Sequence, residues 1–97
     1  MALSKFAVAN GLTAEVKQAF RDRPRQVEGV DGFLRMHVIS PIERPDEIWL
    51  FTYWRDEASY RAWHGSAAYR ASHQHIPKGL KLVPYSTELT FFEHVCE

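Results

Sequence analysis

Four segments of the chain are predicted to be β-strands, in which successive side chains point to opposite faces. Two further segments repeat apolar residues at helical spacing, and Val16, Ala19 and Phe20 form the apolar stripe of the first. The segments follow one another in the order β-α-β-β-α-β. The predicted strands cover Lys5–Asn10, Phe33–Ser40, Ile48–Trp54 and Ser86–Val95.

The ends of the two predicted helices carry recognisable signals. Thr13 is predicted to cap the first helix, and Pro24 to end it, because proline disrupts a helix interior. Asp56 is predicted to cap the second helix at its start. A Gly-Ser pair interrupts that helix, and Ser66 can cap a continuation over Ala67–His75.

The order of the elements predicts one ferredoxin-like α+β domain that spans residues 1–97. Its helices should cover one face of an antiparallel sheet and leave the other face polar. The third strand is instead apolar on both faces, with Ile48, Leu50 and Trp54 on one side and Trp49, Phe51 and Tyr53 on the other. We therefore expect a homodimer packed sheet against sheet, a dimeric α+β barrel. The alternative is that the surface tolerates a few aromatic residues.

Composition and charge narrow the class of protein. The 97 residues carry 12 basic and 12 acidic side chains, so the formal net charge is zero and nucleic acid is not an expected partner. The only cysteine is Cys96, which fits a reducing compartment. No apolar run approaches the ~20 residues of a membrane helix, and the first residues do not match a signal peptide. These features predict a soluble cytoplasmic protein with no membrane partner.

The histidines do not predict a closed metal site. His73 and His75 are two residues apart, which on a helix places them about 200° from each other, so they cannot share one metal ion. No zinc-type spacing of cysteine, histidine and glutamate accompanies them. His73 alone could still hold one axial position of a haem iron.

Three residues gain interest when they are taken together. Asn10 ends the first predicted strand on the face that should lie under the helices, where a buried amide either bonds the adjacent turn or reaches into a cavity. Trp63 lies on the second helix, where a core-filling role is the more usual one. His73 follows on the predicted continuation of that helix. A cavity between this helix and the sheet would have an imidazole on its wall, an indole against its contents and an amide at its floor.

The chain resembles the antibiotic-biosynthesis-monooxygenase superfamily of dimeric α+β barrels, and within it the IsdG-type haem-degrading monooxygenases. The resemblance covers nearly the whole chain and rests on FAVANGLT, VEGVDGF, FTYWRDEASYRAW and AAYRASHQH. In that family an asparagine closes the first strand, a tryptophan lies on the second helix, and a later histidine binds iron. Asn10, Trp63 and His73 fall on those positions.

The resemblance implies an enzyme that binds haem, opens the porphyrin ring with O2 and an external electron donor, and releases iron and a linear tetrapyrrole. It implies that His73 is the axial ligand of the haem iron, that Asn10 donates a hydrogen bond on the distal side, and that Trp63 presses the porphyrin out of plane. Haem would then be both substrate and cofactor. The expected partners are haem, a second copy of the chain and a reductase.

Two other functions stay open at the level of sequence. A cofactor-independent monooxygenase of the same superfamily would oxidise a quinol or a polycyclic phenol, using the same tryptophan and asparagine but no iron ligand. A non-catalytic dimeric barrel would only bind a small apolar molecule. A histidine at the ligand position favours haem over the first of these.

Overall fold

The computed structural model describes residues 1–23, 27–67, 69, 77 and 79–97. A four-stranded antiparallel sheet carries two helices on one face, and its strands lie in the order β2-β3-β1-β4. This arrangement confirms the predicted ferredoxin-like α+β fold. The elements are β1 (Ala2–Ala7), α1 (Thr13–Arg21), β2 (Phe33–Ile39), β3 (Glu47–Trp54), α2 (Glu57–His64) and β4 (Glu88–Phe91).

The hydrophobic core lies between the helices and the sheet face that they cover, which we call the inner face. Under α1, the buried residues Val8, Val16 and Ile48 form one cluster, and Ile48 is fully buried. Under α2, a second cluster contains Val27, Trp54 and Trp63. Full burial of each large apolar side chain contributes about 1.5–3 kcal/mol, so the two clusters fix both helices to the sheet.

The first strand begins and ends earlier than predicted. It covers Ala2–Ala7 instead of Lys5–Asn10, because Val8 makes only an isolated bridge to Leu82 and the chain then turns. The predicted inward side of the strand is correct for Phe6 and Val8, which both belong to the cluster under α1. The prediction was wrong for Asn10, which lies beyond the strand and is exposed.

The helix α1 does not begin with the predicted threonine cap. Its N-cap is Leu12, which makes no side-chain capping bond, and Thr13 is the first helical residue. The hydroxyl of Thr13 donates to Asp46 Oδ1 at 2.6 Å, so it connects the helix to the β2–β3 loop instead. The helix ends at Arg21, before Pro24, which lies outside the described residues.

The helix α2 begins as predicted. Asp56 Oδ1 accepts hydrogen bonds from the backbone N–H of Ser59 at 2.8 Å and from the Ser59 hydroxyl at 2.7 Å. These bonds hold the pKa of Asp56 below its ordinary value, since they favour the ionised carboxylate. Gly32 lies close beside this cap at a φ of 85°, and a Cβ there would stand 2.2 Å from Ser59 Oγ. The turn before β2 can therefore approach α2 only with glycine at this position.

The last strand is shorter than predicted. It covers Glu88–Phe91 and not Ser86–Val95. The backbone N–H of Ala7 donates to the side-chain hydroxyl of Ser86 at 3.1 Å, so a side chain replaces the strand partner that the prediction assumed. The predicted ends of the two middle strands were within one residue of those observed, Phe33–Ile39 and Glu47–Trp54.

The sheet face away from the helices, which we call the outer face, carries a row of aromatic rings. Phe51 of β3 lies 5.9 Å from Tyr53 and 5.8 Å from Phe92 between ring centroids. The ammonium of Lys5 lies 3.9 Å from the centroid of the Trp49 ring. The rings are only partly buried within the chain. β3 is thus apolar on both faces, as its sequence predicted.

No helix in the described part of the chain combines the length and the apolar character that crossing a membrane needs.

Candidate functional site

A cavity of about 390 Å³ lies between the inner face of the sheet and the two helices. Its volume is in the range of small-molecule sites. Ser4, Met36, Leu50 and Thr52 contribute to its floor from three strands, and Phe20 and Trp63 contribute to its walls from α1 and α2. Most of the described lining residues are apolar, and the cavity lies between the second helix and the sheet, where the sequence analysis considered one.

Trp63 lies in the last turn of α2, which ends at the Gly65 cap. Its side chain is 8% exposed and packs with Val27 and Trp54, while it also lines the cavity. The Asp56 cap fixes the start of the helix, and the spacing of three positions from Tyr60 to Trp63 places both side chains on the cavity side. The predicted position of the indole on the cavity wall is thus observed.

Two tyrosines line the cavity beside the indole. The ring of Tyr69 packs edge-on against Trp63 at a centroid distance of 5.7 Å. Its backbone N–H donates to Ser66 Oγ at 3.1 Å, which is the local bond expected of Ser66 as a cap after the helix break. The ring of Tyr60 packs edge-on against Trp54 at 5.7 Å.

The electrostatic environment keeps both phenols protonated. Burial raises the pKa of Tyr60 and of Tyr69, and the neighbouring Tyr69 phenol raises that of Tyr60 further. Both hydroxyls are therefore neutral hydrogen-bond donors at physiological pH. The imidazole of His64 covers the two rings from the exposed side, at 5.8 Å from Tyr60 and 4.5 Å from Tyr69.

Asn10 does not lie where the cavity hypothesis placed it. Its side-chain Nδ2 donates to the backbone carbonyl of Gly79 at 2.7 Å in an exposed position, and the residue is not part of the cavity lining. Of the two roles that the sequence left open, the structure shows an amide that bonds a turn. The contact connects the end of β1 to the segment that leads towards β4.

His73, the predicted iron ligand, lies outside the described residues, as does His75. The described lining of the cavity contains no histidine. Within residues 1–23, 27–67, 69, 77 and 79–97, no group of three histidine, cysteine, aspartate or glutamate side chains could hold a metal ion. The structure therefore brings Trp63 to the cavity, but it neither tests His73 nor brings Asn10 to the same place.

Sequence reasoning missed two residues of the cavity, Tyr69 and Arg23. Tyr69 follows a helix break, so helical spacing from Trp63 could not place it. Arg23 follows the end of α1, where a charged residue is ordinarily solvated. Tyr60, in contrast, precedes Trp63 by three residues, so the sequence places both on one stripe of the second helix.

Comparisons with known proteins give one matching family model and several solved structures with the same fold. The model of the family described as "Antibiotic biosynthesis monooxygenase" matches residues 1–75. A solved structure from Bordetella bronchiseptica, described with the same family name, superposes with a TM-score of 0.81 at 12% sequence identity, covering 98% of this chain and 95% of that one. SnoaB from Streptomyces nogalater, described as a cofactor-independent oxygenase, superposes with a TM-score of 0.70 at 15% identity, covering 97% and 92%. No curated protein sequence matches the chain.

Proposed function

Since the chain belongs to the antibiotic biosynthesis monooxygenase family, we propose that it is an oxygenase that uses O2 to oxidise a flat polycyclic phenol or quinol held in the cavity. The observation that carries this proposal is the cavity itself, which has apolar walls, the indole of Trp63 and the phenols of Tyr60 and Tyr69. Aromatic walls favour a flat aromatic ligand, because offset and edge-on ring pairs contribute about 0.5–1.5 kcal/mol beyond burial. The fold shared with a cofactor-independent oxygenase is consistent with this choice.

The side chains of the cavity have separate roles in this proposal. Trp63 and Phe20 hold the ring system against the sheet floor and keep water out, which strengthens each hydrogen bond inside. Tyr60 donates to an oxygen of the substrate and stabilises negative charge as the phenolate or enolate forms. Its raised pKa suits this role, because a protonated phenol can donate and an ionised one cannot.

The proposed reaction balances without an external reductant. The substrate loses two hydrogens at a ring carbon that lies opposite an oxygen-bearing carbon, and that ring carbon gains one oxygen from O2 as a carbonyl. The second oxygen leaves as water together with the two hydrogens. All four electrons that reduce O2 therefore come from the substrate. Anthrone, which would become anthraquinone, is a simple tricyclic probe of this chemistry.

Haem degradation is the second candidate, favoured by the position of His73 ten residues after Trp63 in the sequence. Haem would supply oxygen activation at its iron when bound, and it would need an axial ligand from the protein. No histidine is among the described lining residues, and Asn10, which donates to the carbonyl of Gly79, is not among them either. The described residues supply the apolar and aromatic walls that either ligand would need, and the axial ligand that haem also needs would come from His73, outside those residues.

An oxygen electrode separates the two candidates. We expect the protein to accelerate O2 uptake with anthrone above the rate in buffer alone, with no reductant present. In parallel, haem is titrated into the protein while the Soret band is recorded, and ascorbate is then added under air. Haem would be the substrate if three results came together. The Soret band would shift at one haem per protein chain, and His73→Ala would abolish this shift. The band would then be lost with ascorbate, and the protein would show no activity on anthrone.

We also propose that two copies of the chain pair through the outer face of the sheet. The partly exposed rings of Trp49, Phe51, Tyr53 and Phe92 form an apolar surface of the kind that marks a protein interface. A second copy would bury it by a two-fold pairing of the same face. Sedimentation at micromolar concentration should then give twice 11.3 kDa.

Phe51→Lys is expected to convert this dimer into a monomer, because it puts a charge at the centre of the aromatic row, between Tyr53 and Phe92. Sedimentation equilibrium measures the change. Ile42→Lys is the matched control, since Ile42 is 96% exposed on the β2–β3 loop and outside this row. A wild-type chain that sediments at 11.3 kDa, or a Phe51→Lys variant that remains dimeric, would contradict the proposal.

A further inference from the structure

Among the described residues that line the cavity, one side chain is charged. Arg23 follows the end of α1, its side chain is only 19% exposed, and it is part of the cavity lining. The other described lining residues are apolar or carry hydroxyl groups. A guanidinium in such surroundings is desolvated, so it strongly favours contact with a negatively charged group.

The carboxylate of Glu28 contacts only one side of the Arg23 guanidinium. It accepts from Arg23 Nη2 at 2.9 Å and from Nη1 at 3.4 Å, so it occupies the end of the guanidinium between the two terminal nitrogens. A guanidinium has five N–H donors in a planar fork. The Arg23 side chain makes no other hydrogen bond to the described residues, so the edge of the guanidinium that contains Nε is available to a ligand there. A second carboxylate can bind that edge with two parallel hydrogen bonds.

We infer that Arg23 is a specificity-determining residue, which selects polycyclic aromatic substrates that carry a carboxylate at the edge of the ring system. The inference rests on the proposed function and names the substrate class more narrowly. The ring system fills the apolar cavity, and the carboxylate of the ligand binds the Nε edge of Arg23 while Glu28 holds the opposite end. A neutral ligand of the same size gains the apolar contacts but no charge-assisted bond.

A pair of fluorescent probes tests the inference directly. Anthracene-2-carboxylate and 2-(hydroxymethyl)anthracene have the same ring system and differ at the group that would meet Arg23. We expect the wild-type protein to bind the carboxylate about tenfold more tightly, which is the effect of one charge-assisted hydrogen bond. Arg23→Gln should remove this preference and leave the affinity for the neutral probe unchanged.

A second variant changes the preference in the opposite direction. Glu28→Gln removes the negative charge that competes for the guanidinium, so it should increase the preference for the carboxylate. The two opposite shifts distinguish recognition from a loss of structure, which would weaken both probes together. Arg44→Gln is the matched control, because Arg44 also pairs with a glutamate, Glu47, but lies outside the cavity lining.

The outcomes separate this inference from the function on which it rests. The role of Arg23 would be overturned if the wild-type protein bound the two probes with equal affinity. It would also be overturned if Arg23→Gln kept the preference for the carboxylate as fully as Arg44→Gln does. In both cases the cavity would remain the binding site. Failure of both probes to bind the folded protein would overturn the inference and the proposed function together.

Discussion

Trp63→Ala is expected to lower the free energy of unfolding by about 3–5 kcal/mol, which is the usual cost of removing a buried tryptophan side chain. Trp63 is 8% exposed and joins Val27 and Trp54 in the cluster that fixes α2 to the sheet. A domain of this kind has a total stability of about 5–15 kcal/mol, so the loss would be a large part of it. Urea denaturation followed by circular dichroism measures the change.

Leu34→Ala is the control, because Leu34 is 63% exposed and its truncation should change the unfolding free energy little. Trp63→Phe then separates packing from function. If the indole also holds the substrate, the folded Phe variant should oxidise anthrone more slowly per molecule than the wild-type protein. If the Trp63→Phe variant is less stable but oxidises anthrone at the wild-type rate per folded molecule, Trp63 only fills the core.

Tyr60→Phe is expected to lower kcat on anthrone by about 100-fold or more, while the affinity for the substrate changes little. The reason is that one preorganised donor to a developing oxyanion contributes about 2.7–4 kcal/mol to transition-state stabilisation. Tyr60 lines the cavity, and burial raises its pKa, so the phenol remains a donor between about pH 6 and about pH 9. The ratio of the wild-type and Tyr60→Phe rates should therefore be constant over that range.

Tyr85→Phe is the matched control for the loss of one phenol, because Tyr85 is fully exposed and outside the cavity lining. The same kcat for Tyr60→Phe and Tyr85→Phe would show that Tyr60 does not donate to the substrate. A Tyr60→Phe variant that loses substrate affinity with kcat unchanged would instead assign Tyr60 to binding alone.

The sequence predicted most of the fold because strand faces and helix caps depend on residues that are close together in the chain. Alternation on β3 predicted its inner and outer faces, and Asp56 caps α2 through a contact only three residues long. The errors arose where distant segments meet. Thr13 bonds Asp46 instead of its own helix, and Ala7 bonds the hydroxyl of Ser86. No periodicity in the sequence encodes such long-range bonds.

The position of Trp63 in the candidate site was also predictable from spacing within one helix. The spacing along α2 places Trp63 on the covered face of the sheet, and the cavity lies there. Asn10 was misplaced because the early end of β1 carries it past the sheet to Gly79. Arg23 and Tyr69 were missed because each lies just after a helix end, where the direction of the chain depends on tertiary contacts.

Oxidation of anthrone under ¹⁸O2, with a metal chelator present and no reductant, shows whether the protein is an oxygenase that needs no cofactor. We expect the protein to accelerate formation of anthraquinone, with one ¹⁸O atom gained by each product molecule and one O2 consumed per anthrone. Formation of anthraquinone no faster than in buffer, or acceleration only after haem and a reductant are added, would contradict this expectation.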